Sequence, residues 1–159
     1  MKSRTRARGL ALQALYEIDI TAHPPGEVLQ NRLEEDALSG ELGEFARKIV
    51  FGVVPLRQDL DNVIARYAPE WPFDQIAAID RNILRLACWE FAVQGDTPLK
   101  VAINEAVELA KLFGSESAPR FVNGVLGSLA DHRGEVTQQL LQARAALDAA
   151  PAAPHPEAG

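Results

Sequence analysis

Apolar residues recur every three or four positions along almost the whole chain, and that spacing commits it to helices. Ala7, Leu10, Ala11, Ala14, Leu15 and Ile18 set the pattern for a first amphipathic helix, whose charged start can itself be helical. His23-Pro24-Pro25-Gly26 ends it, because proline cannot continue the hydrogen-bond ladder. A short helix carrying Val28, Leu29 and Leu33 follows, up to a Leu38-Ser39-Gly40 break. The third segment runs from about Leu42 to Tyr67, with Leu42, Phe45, Ala46, Ile49, Val53, Leu56, Leu60, Val63, Ile64 and Tyr67 inward. Its run Ile49 to Val54 is β-branched enough to resemble a strand. Both flanks keep the helical period, however, and no second strand is present to pair with it, so the expectation is a helix bent near Pro55.

Pro69-Glu70-Trp71-Pro72 marks a boundary between two subdomains, about 1–68 and 72–134. Beyond it, a fourth helix is expected from about Asp74 to Val93, with Ile76, Ile79, Ile83, Ala87 and Phe91 on its inner face. Thr97-Pro98 reads as an N-cap followed by a first-turn proline. The fifth helix, with Ile103, Ala106, Val107, Ala110 and Phe113 inward, should close on Gly114 at the position after its cap. Ser115 or Ser117 can cap a sixth helix carrying Phe121, Val122, Val125, Leu126 and Leu129. Residues 135–147 suit one more, weakly amphipathic helix (Val136, Leu140, Leu147), and 148–159 should be a disordered tail. Helices joined by short loops make the fold class an all-α bundle.

No stretch approaches the ~20 apolar residues that span a bilayer, and no signal peptide is visible. Cys88 is the only cysteine, so no internal disulfide can form, and a cytoplasmic location fits best. The net charge of −6 argues against nucleic-acid binding over the whole surface. Its distribution says more: Lys2, Arg4, Arg6 and Arg8 give the first eight residues a charge of +4, whereas Glu17 to Asp61 holds ten acids against four bases. A cationic arm on an acidic body can attract a polyanion locally, although a basic N-terminus can equally be a solvated end.

Chemistry is hard to find. His23, His132 and His155 have no metal-ligand spacing, and Cys88 sits in an apolar helix as a core thiol would. Glu105 and Glu108 lie one turn apart, but no histidine follows, and Glu108 can pair with Lys111. No phosphate-cradling glycine loop is present. The expectation is thus no enzyme, no metal and no cofactor. Binding remains. Single-stranded RNA needs cations for phosphates and flat groups for unstacked bases, and the candidates are the Lys2–Arg8 arm, Tyr67, Arg81, Lys111, Arg120 and Phe121. Tyr67 and Phe121 fit the core equally well, and the Arg120 stem can simply cover apolar surface.

Three stretches carry a resemblance. Arg4-Thr5-Arg6-Ala7-Arg8, followed by ALQALY at 11–16, resembles the arginine-rich first helix of the NusB family. Ile79 to Ala87 (IDRNILRLA), continuing to Trp89-Glu90, is similar to that family's central signature. So are Val101 to Lys111 (VAINEAVELAK), Phe113-Gly114 and Phe121 to Leu126 (FVNGVL). The resemblance implies a compact bundle of two packed three-helix-type subdomains, and transcription antitermination on ribosomal RNA operons within an RNA polymerase elongation complex. It also implies binding of boxA-type single-stranded RNA together with the ribosomal small-subunit protein NusE. Carried over by motif, Arg4, Arg6 and Arg8 would contact RNA, as would Tyr67, Asp80, Phe121 and Asn123. Thr5 and Gly9 stand where relatives can carry charge, and Ser117 where some have aspartate. Some members form homodimers that cover the RNA surface, and this sequence is compatible with either state. A similar module serves as the RNA-binding domain of ribosomal RNA cytosine methyltransferases, whose catalytic domain is not encoded here. A helix-turn-helix DNA regulator around Gly114–Ser117 would place too few polar side chains on its second helix.

Overall fold

The computed structural model describes residues 3–149, and within them the chain forms eight α-helices and no strand. These are α1 (Ser3–Ile20), α2 (Pro25–Glu35), α3 (Gly40–Val53), α4 (Arg57–Tyr67), α5 (Ala78–Trp89), α6 (Leu99–Phe113), α7 (Ala118–Asp131) and α8 (Arg133–Ala149). The all-α expectation holds. Lys2 and residues 150–159 lie outside the described residues, and with them most of the tail; Asp148 and Ala149 end α8 in helix rather than disorder.

α1 is the axis of the molecule. It packs on α2, α3 and α5, and its start reaches α6. Ala7, Ala11 and Ala14 are fully buried among Leu10, Leu12 and Leu15, since small side chains let neighbouring helices approach closely. α5 is the second axis, touching α1, α3, α4, α6 and α7. Gly52 in α3 lies under the indole of Trp89, where a methyl group would come within 2.6 Å of Nε1. Cys88 is wholly buried, and burial pushes its thiol up to about 12, so it is a core thiol.

The expected bend at Pro55 is a 3₁₀ turn, Val54–Leu56, which lets the chain pass the proline without a full helical ladder. Other details differ from expectation. The fourth segment is interrupted: Phe73–Gln75 is a separate 3₁₀ turn, and Ile76 and Ala77 are extended before α5 starts. Beyond Trp89 it widens into a π-turn, Glu90–Gln94, closed by left-handed Gly95. Thr97 does not cap α6. Its hydroxyl donates to Glu90 at 2.8 Å, and Pro98 holds the cap position. Gly114 is extended, not left-handed, and is needed for space: a Cβ there would meet Ala118 Cβ at 2.6 Å and the Ala110 carbonyl at 2.9 Å. Ser117 precedes α7 but makes no capping hydrogen bond. In α8, Val136 and Leu140 are buried whereas Leu147 is exposed.

Candidate nucleic-acid interface

The first turns of α1 contain no acidic residue. The free N–H groups of a helix start carry partial positive charge, and basic side chains there add to it rather than neutralise it. Such an end is poorly arranged for helix stability and well arranged for an anion. Arg4 and Arg6 are exposed. The Arg4 guanidinium lies 4.6 Å from the centre of the Phe45 ring, and Arg6 donates to the backbone carbonyl of Asp36.

Arg8 breaks the pattern. It is 3% exposed, and its Nε and Nη2 donate to the two carboxylate oxygens of Glu90 at 2.7 and 2.9 Å. Thr5 is buried as well, donating to Glu105 at 2.9 Å. Gly9, too, is no solvent-facing arm position, because a Cβ there would meet the Phe113 ring at 3.3 Å. The arm expected to present three arginines therefore presents two within the described residues. The third is consumed by an internal carboxylate.

A cleft of about 320 Å³ opens where the start of α5, the Trp71–Pro72 turn and the start of α7 converge, lined by Trp71, Pro72, Gln75, Ile76, Ala77, Asp80, Ser117 and Phe121. Trp71 and Phe121 meet edge to face at 6.3 Å. Asp80 is 8% exposed, and its Oδ1 is buried with no hydrogen-bond partner. Burial pushes its carboxyl above the ordinary aspartate value. The missing side chain of Gly114 leaves Oδ1 its room, since a Cβ there would stand 3.2 Å away. The cleft and the arm are linked through α6: Gly9 abuts Phe113, and Gly114, the next residue, abuts Asp80.

The chain matches the NusB family over residues 5–131. It belongs to that family. The transcription antitermination protein NusB of Roseiflexus castenholzii is 48% identical over 128 residues, covering 79% of this chain and 90% of that protein. Its Bacillus pumilus counterpart is 45% identical over 129 residues, covering 81% and 95%. Among solved structures, T. maritima NusB superposes with a TM-score of 0.74 at 31% identity, over 85% of this chain and 96% of that one. A crystal structure of antitermination factors NusB and NusE in complex with dsRNA gives a TM-score of 0.72 at 27% identity, over 87% and 98%. Among the described residues no helix is long and apolar enough to cross a membrane.

The NusB central signature divides its labour. Asp80 faces the cleft, whereas Arg81 does not stand free for RNA as expected: its Nη2 and Nε donate to Asp19 at 2.6 and 3.1 Å. Asn82 also donates to Asp19, at 2.9 Å, and Arg85 grips Asp61 through two bonds of 2.7 Å. These side chains tie α5 to α1 and α4. Lys111 and Asn123 are exposed, Lys111 reaching Glu108 at 3.3 Å. Tyr67 is half-buried against His132, ring centres 5.1 Å apart, with Arg66 over its ring. His132 follows the last residue of α7 and Phe121 lies in its first turn, so Tyr67 stands about 16 Å along that helix from Phe121. Trp71, not Tyr67, is the ring beside Phe121. Its signal in the sequence was a tryptophan held between two prolines.

Proposed function

We propose that this NusB-family chain is an antitermination factor that binds boxA-type RNA jointly with the ribosomal protein NusE, acts within an RNA polymerase elongation complex, and catalyses no reaction. The family match over residues 5–131 carries the reading. The geometry supports a division of roles. Arg4 and Arg6, exposed at an acid-free helix start, receive phosphates. Asp80 lines the cleft beside Trp71 and Phe121, and its cleft-side oxygen takes a donor from a base edge while an aromatic face supports the base. Lys111 and Asn123 are exposed on α6 and α7, and Tyr67 would meet a longer strand. The rest of the acidic body repels nucleic acid, so the partner protein completes the groove.

The test is fluorescence anisotropy with a labelled boxA-type single strand, with and without NusE, against salt. Affinity should rise with NusE and fall by about 0.7 log units per phosphate neutralised, per log unit of salt. The Arg4→Ala/Arg6→Ala variant should weaken binding and flatten that slope. If this variant, still folded, binds as wild type does, the arm assignment fails. Unlabelled RNA duplex and duplex DNA as competitors separate single-strand recognition from duplex binding, and a preference for DNA would overturn the reading.

A further inference from the structure

We propose that Arg8 is a positioning residue and not an RNA ligand: its buried pair with Glu90 fixes the rotation and depth of the first turns of α1, and thereby where Arg4 and Arg6 meet a phosphate chain. This rests on the reading that the exposed arm binds RNA.

The start of α1 is sunk in the body of the protein. Thr5 and every residue from Ala7 to Leu12 are buried, leaving Ser3, Arg4 and Arg6 to face solvent. No phosphate reaches a side chain 3% exposed without displacing its neighbours. What holds Arg8 is equally enclosed. Glu90 is 1% exposed and receives three donors: Arg8 Nε, Arg8 Nη2 and the Thr97 hydroxyl at 2.8 Å. Glu105 adds a second carboxylate 3.7 Å from Arg8 Nη1 and takes the Thr5 hydroxyl. Glu90 opens the π-turn that ends α5, and Thr97 stands just before α6. The pair therefore keys the arm helix to the junction of two other helices.

Directionality makes this a register device. A guanidinium fork meets a carboxylate side-on through two parallel bonds, so the pair sets an orientation as well as a distance. Arg4 and Arg8 are four residues apart and share a helix face. Both lie over the Phe45 ring, at 4.6 and 5.1 Å. Any rotation that loosens Arg8 from Glu90 draws Arg4 off that ring and Arg6 away from the Asp36 carbonyl.

The experiment compares Arg6→Ala, Arg8→Lys and Glu90→Gln in the anisotropy assay with the boxA-type strand and NusE. Circular dichroism confirms that each is folded at the assay temperature. Arg6→Ala should lower both the affinity and the salt slope, the latter by about 0.7. Arg8→Lys should weaken binding several-fold at an unchanged slope, because no phosphate contact is lost. Glu90→Gln is the sharper arm. It removes a negative charge, so simple electrostatics makes RNA bind more tightly, whereas a positioning role makes it bind more weakly, again at constant slope. The double variant should be no worse than either single one, as expected of one coupled pair. Should either variant fail to fold, Thr97→Val, which removes only the third donor to Glu90, must show the same loss on a smaller scale. A salt slope reduced by Arg8→Lys as it is by Arg6→Ala would overturn the proposal, as would Glu90→Gln binding at or above wild-type affinity. Absence of RNA binding by the wild type would instead bring down the functional reading itself.

Discussion

Replacing Gly52 by alanine sets two opposed effects against each other, and the structure decides the sign. In an open helix position the change gains about 1 kcal/mol, because alanine loses less backbone freedom on folding. Here the new methyl would stand 2.6 Å from Trp89 Nε1 and nearer still to the adjoining ring carbons. Carbon contacts are optimal at about 3.5–4.0 Å, so α3 or the indole must retreat by roughly 1 Å. Trp89 is 7% exposed and its ring is rigid, which leaves it little room to swing aside. Overpacking of this kind costs about 1–3 kcal/mol. The upper part of that range applies, and subtracting the helix gain leaves a net loss of about 2 kcal/mol. With a urea m-value of about 2 kcal/mol/M, the unfolding midpoint should fall by about 1 M. Gly127→Ala is the control, since nothing lies within 4 Å of a Cβ there; its midpoint should rise. In a Trp89→Leu background, Gly52→Ala should cost far less, because the obstructing ring is gone. A Gly52→Ala protein at or above the wild-type midpoint would refute the argument.

Two aspartates should respond to pH in opposite directions. Burial by itself would raise the Asp19 carboxyl, but bonds from Arg81 and Asn82 and the nearby Arg85 charge hold it below the ordinary value of 3.8. Its contribution is therefore complete above the unfolded value and is lost as pH falls through the lower folded one. Asp19→Asn should have a lower urea midpoint than wild type at pH 7, the gap closing below about pH 4. Asp80 is raised by burial, so wild type loses stability as pH rises through its folded value. Asp80→Asn should match or exceed wild type at pH 7, the gap closing toward acid. Midpoints measured at pH 7 and pH 3 check both, and gaps of the same sign would refute this account.

The helical framework was legible because it depends on local periodicity: the residues assigned inward in α1 and α2 are all buried. Pro55 interrupted its helix as a residue without an N–H must. What escaped the sequence depends on partners far along the chain. Arg8 looks like a third member of the arm until Glu90, 82 residues away, is seen beside it. The alanines and Gly9 around it, a sign of close packing on every side, were the available clue. Arg81 reads as a free cation, and only the fold brings Asp19 to it. Thr97 has the local look of a helix cap, but in the fold a buried carboxylate takes its hydroxyl. In the candidate site, Asp80 comes from motif resemblance and Phe121 from its ring as well as the motif, while the convergence of Trp71, Ser117 and an unpartnered carboxylate oxygen is a property of three dimensions alone.

Asp80 is the point at which stability and binding pull apart. Its neighbours Arg81 and Asn82 are both taken by Asp19, so a buried acid stands beside a cation and gains nothing from it. A merely structural carboxylate would be improved by any partner. Ser117 is exposed on the rim of the same cleft, so Ser117→Lys supplies one. A charge-assisted bond to the cleft-side oxygen of the Asp80 carboxylate should raise stability by about 1 kcal/mol, the scale of a net hydrogen bond. If the cleft receives a nucleobase, the same ammonium occupies the acceptor meant for the base and crowds the space beside Phe121. RNA affinity should then fall although the protein has gained a positive charge and a higher unfolding midpoint. Paired urea unfolding and anisotropy measurements read both effects. Tighter RNA binding by Ser117→Lys would mean that charge alone governs this surface, and that Asp80 has no part in selecting what lies on it.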